Sequence, residues 1–420
     1  MSSESNIRVS VVSKPFIISA VIFVFAGSII GSIWMMSLLG ADFAFASRSF
    51  PLHKTFQIDG FLTLLVMGVG YMIVPRFRNV QLSSIRLAYL SFILIVFSIA
   101  ASIVSIFANY ALSLLATLIE LFGVSIFAAI IIWTLRIHPR LLRTADYFIA
   151  LSVIVLFAIN IFQIIEQVGA REGDSSALNE VQMLLLFAIL MIFGVEYKTL
   201  PSFLGFIKPR KKLSVVSLGL AIASIILGLS SMLYYDDDML LAETFNIILL
   251  GFVVTFAAAV YIFGGFDNSE ILGLIQGEKK ARYTYTICHL RLAFVFLCAG
   301  ILLAAAFTIS SSYILYDLAI HYTAIGFLGI TVALYLPLML PPITGRMVHF
   351  TKFNGLPLLL IVAALAIRTS GDIFMSMKPG TITSASSYLF MVSGWLVVAA
   401  LFAFVTMIHR SMKHMEMTNK

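Results

Sequence analysis

Residues 45–77 read FASRSFPLHKTFQIDGFLTLLVMGVGYMIVPRF. A short polar linker reaches Pro51 and then His53, after which the chain is almost purely apolar down to Pro75 and Arg76. From residue 55 to residue 75 this run has the length that a helix needs to cross the hydrocarbon core of a bilayer, roughly 20 apolar residues. The pattern recurs along the chain. Runs at 15–39, 55–75, 85–108, 110–135, 147–168, 179–204, 213–234, 243–265, 285–309, 314–341, 355–377 and 386–408 make twelve. Only helices satisfy their own backbone polar groups inside lipid in this pattern. The sequence therefore predicts an all-α integral membrane protein with twelve transmembrane helices.

Composition agrees. Of 420 residues, 61% are hydrophobic and 11% are charged, and the mean hydropathy is +1.04. A soluble domain is about 25% charged. This chain has too little polar surface to face water on all sides, and its partner is the lipid bilayer. No loop is long enough for a soluble domain. The expected organisation is an N-terminal tail at 1–14, a membrane domain at 15–408 and a C-terminal tail at 409–420. The first apolar run is too long for a signal-peptide core, so the first helix is expected to target the chain and stay. Cys288 and Cys298 lie in one apolar run and offer neither a disulfide framework nor a zinc pattern. CxxCH is absent, which excludes covalent c-type haem.

The pI of about 9.3 does not point to nucleic acid, because the basic residues sit in short loops between apolar runs. Of the 27 Lys and Arg, only Arg48, Lys54, Arg171, Arg368 and Lys378 fall on the side opposite the termini. The positive-inside rule then puts both termini in the cytoplasm of a multi-pass protein of the cell membrane.

The second run ends GVGYMIVPRF (68–77) and the sixth ends GVEYKTLPSF (194–203). Gly68, Val69, Tyr71, Pro75 and Phe77 match Gly194, Val195, Tyr197, Pro201 and Phe203. The tenth run also ends in proline, at Pro341 and Pro342. Runs two, six and ten are four apart, which suggests three pseudo-repeated four-helix units.

Seven histidines are present. His138, His349, His409 and His414 fall in loops or the tail, and His289 opens the ninth run beside KKARYTY. His53 and His321 are different. His53 lies 22 residues before Pro75 and His321 lies 20 before Pro341, so under the repeat they correspond. Run six holds Asn179 and Glu180 at that place. At about 1.5 Å per residue both histidines fall in the outer leaflet at similar depth. Taken singly, each has the plain reading of a histidine hydrogen-bonded to a neighbour. Taken together, two neutral imidazoles facing across a bundle could hold a b-type haem iron axially. Haem propionates need cationic partners, and Arg48 and Arg368 lie on the same side; Arg368 is also spaced to pair with Asp372. The small face of Tyr322, Gly326, Gly329 and Ala333 would admit a macrocycle or, equally, a close helix neighbour.

Carboxylates within membrane runs carry a functional expectation. Glu120 reads as a buried hydrogen-bonding acid kept protonated or as a proton-relay group, with the first favoured. Asp59 lies two turns into run two. Asp317, four residues before His321, could orient its imidazole. There is no HxH in run ten, no His-His pair and no His-x-x-x-Tyr in run six, so no copper–haem catalytic centre can be built. Phosphate-cradling glycine motifs are absent, which argues against an ATPase.

At these residues the chain resembles the NnrS family, membrane proteins with haem and copper associated with nitric oxide stress and denitrification. HKTFQIDGF (53–61), HYTAIGFLG (321–329), PITGR (342–346), Arg368 and GWLVVAALFAF (394–404) follow in the family's order. The chain departs from the family at Thr55, where members carry a second histidine. It departs again at Ile343, the histidine place of a GHTGR-like turn, and at Lys198, near an arginine place. Copper is therefore not expected, and one haem b held by His53 and His321 is. The layout is also similar to the catalytic subunit of haem-copper oxidases, with its three four-helix arcs, and RSFPLHKT (48–55) to the corresponding stretch in the cbb class. The resemblance implies electron transfer or nitric oxide handling in respiration, with an electron donor or respiratory-chain subunits as partners. A secondary transporter and a cofactor-free subunit of a respiratory complex are the alternatives.

Overall fold

The computed structural model describes residues 3–37, 46–108, 111–137, 143–169, 177–234, 239–264, 276–344, 355–377 and 384–418. Among the described residues there is no strand, and twelve helices are long and apolar enough to cross a membrane. They are α1 (Ser3–Ser37), α2 (Ala46–Arg78), α3 (Ile85–Phe107), α4 (Ala111–Arg136), α5 (Thr144–Gly169) and α6 (Ala177–Phe203). Then follow α7 (Lys211–Tyr234), α8 (Met239–Ala259), α9 (Gly277–Ser310), α10, α11 (Leu356–Met377) and α12 (Ser384–Thr418). Helix α10 runs through Tyr313–His321, Tyr322–Gly329 and Ile330–Thr344.

The expected spans and the helices agree to a few residues at most ends, and the larger differences at α1, α2, α9 and α12 share a cause. Hydropathy marks where lipid begins, not where backbone hydrogen bonding begins. Helix α2 starts at Ala46, so the stretch read as a linker is helical and contains Pro51. Pro51 is the sixth residue, past the four N–H groups that an opening turn leaves unpaired, so the helix forgoes one i→i−4 bond there. His53 therefore lies about two turns inside the helix rather than at its start. In the same way α1 begins at Ser3 and α12 continues to Thr418, so most residues expected as tails are helical.

Among the described residues, two helices are not α-helical throughout. An eight-residue π segment occupies Phe56–Thr63 in α2 and another occupies Tyr322–Gly329 in α10. Such segments are rare and recur at functional sites. Helix α2 then closes at Asn79, whose φ of 54° is left-handed, with the Val80 N–H donating to the Pro75 carbonyl at 3.0 Å.

The chain divides into two compact units. One comprises Met1–Arg140, Leu156–Arg171 and Tyr335–Lys420; the other comprises Leu141–Val155 and Glu172–Leu334. In the first, Tyr71 packs edge-on to Phe16 and Phe127 with centroids 5.3 and 5.1 Å away, and its hydroxyl meets Ser91 at 2.8 Å. In the second, Phe193 stacks on Phe256 at 3.8 Å, beside Phe252, Phe294 and Phe327.

The helix-pair packing repeats every four helices. At Gly68, α1 comes so close that a Cβ would stand 2.8 Å from the Phe16 Cβ. At the echoed Gly194, a Cβ would stand 2.6 Å from Ile149 and 3.0 Å from the Ala145 carbonyl of α5. The pair α9–α10 repeats α1–α2 at another level. Phe23 covers Gly60 and meets the Phe56 ring at 5.5 Å, while Phe296 covers Gly326 and meets the Tyr322 ring at 5.2 Å. One turn further on, Gly27 receives Gln57 and Gly300 receives Thr323. Between these pairs α3–α4, α7–α8 and α11–α12 pack as hairpins. Gly194→Leu is expected to cost about 1–3 kcal/mol by overpacking, because Ala145 backbone cannot swing aside. Gly219→Leu on α7, where a Cβ meets nothing within 4 Å, is expected to cost far less. Thermal unfolding in detergent checks both.

Candidate functional site

His53 belongs to the first unit. Its Nδ1 lies 2.8 Å from the Gly27 carbonyl of α1. The ring lies over Gly31, where a Cβ would come within 2.6 Å of Nδ1, so this approach requires glycine. His321 belongs to the second unit and is the last residue before its π segment. Its Nδ1 lies 2.8 Å from the Asp317 carbonyl and 3.3 Å from Asp317 Oδ1. Asp317 thus orients the imidazole as the four-residue spacing suggested. A carbonyl oxygen only accepts, so Nδ1 carries the proton in both rings, and the lone pair of the neutral imidazole is on Nε2.

The π segments correct the register of the two histidines. Phe56, Gly60, Phe61 and Leu62 of the first fall on Tyr322, Gly326, Phe327 and Leu328 of the second, and Pro75 falls on Pro341 without a gap. His321 then matches Thr55, and His53 matches Ala319. The two histidines stand two positions apart in the repeat, which accounts for the unequal spacings of 22 and 20 to the prolines. In α6 the place of His53 is held by Asn179, as the sequence indicated. Asn179 is 1% exposed, and neither amide atom has a hydrogen-bond partner.

Arg48 is exposed and lies over the Phe107 ring, 5.1 Å from its centroid. Arg368 is buried over the Phe390 ring at 5.5 Å, one turn from the buried Asp372. The small face at Gly326 is not open, since Phe296 of α9 occupies it; of the two sequence readings, the close helix neighbour is the one found. Gly329 meets only its own turn, at the Ala324 carbonyl. His289 is engaged locally, with Nδ1 2.9 Å from the Tyr285 carbonyl and its ring 4.0 Å from that of Tyr285. His409 is exposed. His138, His349 and Arg346 lie outside the described residues, as do the side chains of His414 and Ile343.

A second polar group forms inside the first unit. Glu120 on α4 is buried, hydrogen-bonds the Asn160 amide of α5, and lies close enough to Asp59 of α2 for the two carboxyl groups to interact. Sequence reasoning found both acids and missed Asn160, which is one polar residue within an apolar run. It also passed over Glu196 on α6. This acid is fully buried, and neither carboxyl oxygen has a hydrogen-bond partner. The available signal was the echo itself, because Glu196 fills the place of Gly70 in GVGY. A buried group left unsatisfied costs about 1–3 kcal/mol. Glu196→Met is expected to raise stability by about that much, read as a higher unfolding temperature; a lower one would give the acid a structural partner.

Among the described residues, no three His, Cys, Asp or Glu side chains cluster closely enough to hold a metal ion. What the fold and these side chains define is a multi-pass, all-α membrane protein with ionisable residues in its helix interiors. No protein-family model matches the chain, and no curated protein matches it.

Proposed function

We propose that the chain is a haem-b-binding membrane protein of the NnrS or haem-copper-oxidase-like group, acting in electron transfer or nitric oxide handling. His53 and His321 would be the axial ligands, Arg48 and Arg368 the partners of the propionates, and both termini would lie in the cytoplasm. The observation that carries this reading is the tautomer. Each histidine commits Nδ1 to a backbone carbonyl, which puts the lone pair of the neutral ring on Nε2, the tautomer that second-shell bonding imposes on metal-ligating histidines. The residue types suit the group: imidazoles that could ligate iron, one of them beside Asp317, and arginines that could pair with propionates. When bound, the haem would supply one-electron chemistry. With two imidazoles of the chain holding the iron, electron transfer would be favoured over gas binding. Asp317 would hold the His321 ring in place, and Gly31 would leave room for the His53 ring against α1.

Reduced-minus-oxidised visible spectra of protein purified from haem-supplied cells test the reading. A b-type difference spectrum is expected, and its absence would sink the proposal. The Asp59, Glu120 and Asn160 group favours a second reading, a secondary transporter, because intramembrane acids mark ion paths.

A further inference from the structure

Four of the five residues at 208–212 are cations: Lys208, Arg210, Lys211 and Lys212, all exposed. Lys211 and Lys212 open α7, whose first turn holds no acid. Cations are unfavourable at the start of a helix, where the macrodipole is already positive. Among the described residues none of the four makes an ion pair. The Arg210 guanidinium lies 4.3 Å over the Tyr261 ring, and its Nε donates to the Tyr261 hydroxyl at 2.6 Å. Tyr261 follows α8 with a left-handed φ of 57°, a place that usually goes to glycine. Helix α8 thus closes on a strained residue whose side chain holds this arginine.

The start of α9 joins the same end of the second unit. The Tyr283 hydroxyl donates to the Phe203 carbonyl, at the end of α6, at 3.3 Å. Arg291 Nε donates to the Ile262 carbonyl, just past α8, at 3.1 Å, and the Arg210 N–H to the Ala259 carbonyl at 2.8 Å. Along the first turns of α9 runs an open groove of about 540 Å³, lined by Gly277, Lys280, Ala281, Thr284, Tyr285 and Cys288. Gaps of three and four put these residues on one face. The apolar spans begin at Lys211 in α7 and at Lys280 in α9, so these cations stand at the level of lipid headgroups. Cys288 lies about 12 Å further along the helix. The groove therefore leads from an exposed cation into the apolar span.

We propose that this end of the second unit binds an anionic phospholipid, with the headgroup in the α9 groove against Lys280 and its charge drawn by the cations of 208–212. The positive-inside rule accounts for cations at this end. It does not account for four in five residues at a helix start, nor for a groove beside a cation at headgroup depth. Each Lys or Arg at such a surface strengthens the binding of anionic lipid about five-fold. The site stands without haem, and its test needs no haem signal.

Dioleoylphosphatidylglycerol is the probe and dioleoylphosphatidylcholine the neutral control. Added to the purified full chain in detergent at low salt, the anionic lipid is expected to raise the unfolding temperature by about 3 °C, and the neutral lipid to leave it unchanged. The anionic lipid is also expected to slow alkylation of Cys288, exposed in the groove, about five-fold. Lys211→Gln combined with Lys212→Gln is expected to weaken binding about 25-fold, and Lys280→Gln about five-fold. Arg86→Gln, at an exposed place in the first turn of α3, is expected to leave it unchanged. Glycerol phosphate is expected to have no effect; protection by it would make this a site for free phosphate and overturn the proposal. Equal temperature shifts with both lipids overturn it, as does binding that is unchanged in the lysine variants. One rate of Cys288 alkylation in both lipids overturns it on the wild-type chain alone, whether or not any variant folds.

Discussion

His321→Ala is expected to abolish the b-type difference bands of the purified protein, and His53→Ala to do the same. Under the proposed ligation each substitution removes one of the two ligating nitrogens. His289 stacks on Tyr285 within its own helix turn, so His289→Ala is expected to leave the bands intact. Asp317 gives a finer test. Its carboxylate stands 3.3 Å from His321 Nδ1, behind the backbone carbonyl at 2.8 Å. Asp317→Asn should therefore keep the bands while weakening haem retention about ten-fold. It should also raise the midpoint potential, since the imidazole loses a partner that makes it more basic. A variant that keeps its bands in both alanine substitutions would remove the ligand assignment. Loss of the bands in Asp317→Asn, with the fold intact, would make Asp317 more than an orienting group.

What the sequence disclosed and what it hid divide along physical lines. Twelve spans were legible because lipid imposes a length and a composition on each helix. The starts of α2 and α9 were not, since Arg48 and Lys54, or Lys279 and Lys280, read as loop yet continue the helix past the lipid edge. The π segments left no trace in hydropathy. The tyrosine–glycine–phenylalanine–leucine match in α10 was present in the letters, but aligning α2 and α10 on their histidines put it two residues out of phase. The two π segments and the Phe23–Gly60 and Phe296–Gly326 contacts fixed the register. Asn160 and Glu196 were hidden for another reason. A single polar residue in an apolar run reads the same whether it faces lipid, a helix or a ligand, and packing alone tells these apart.

The largest loss of stability from one side chain is expected at Phe193→Ala. In a membrane protein the usual argument from water fails, because lipid tails are as apolar as the core and transfer contributes little. What remains is contact and cavity. Phe193 is 0% exposed. It lies parallel to Phe256 at 3.8 Å and to Phe294 at 5.6 Å, and edge-on to Phe252 at 5.3 Å and Phe327 at 6.1 Å. These rings come from α8, α9 and α10, so the one side chain of α6 ties four helices of the second unit together. Removing it leaves a cavity that three helices must close at once. The expected cost is about 3 kcal/mol or more. Phe122→Ala on α4 is the counterpart, with a ring 65% exposed on the apolar surface, and its expected cost is within about 0.5 kcal/mol. Unfolding of both variants in the same detergent measures the difference. Equal costs would mean that the ring cluster is no tighter than a lipid-facing surface. The α10 end of the cluster adds a second readout, because Phe327 lies within the π segment that begins directly after His321. Loosening Phe193 should therefore also loosen the turn that presents this histidine. In Phe193→Ala the haem signal is expected to weaken before the protein unfolds, whereas in Phe122→Ala the two should fall together.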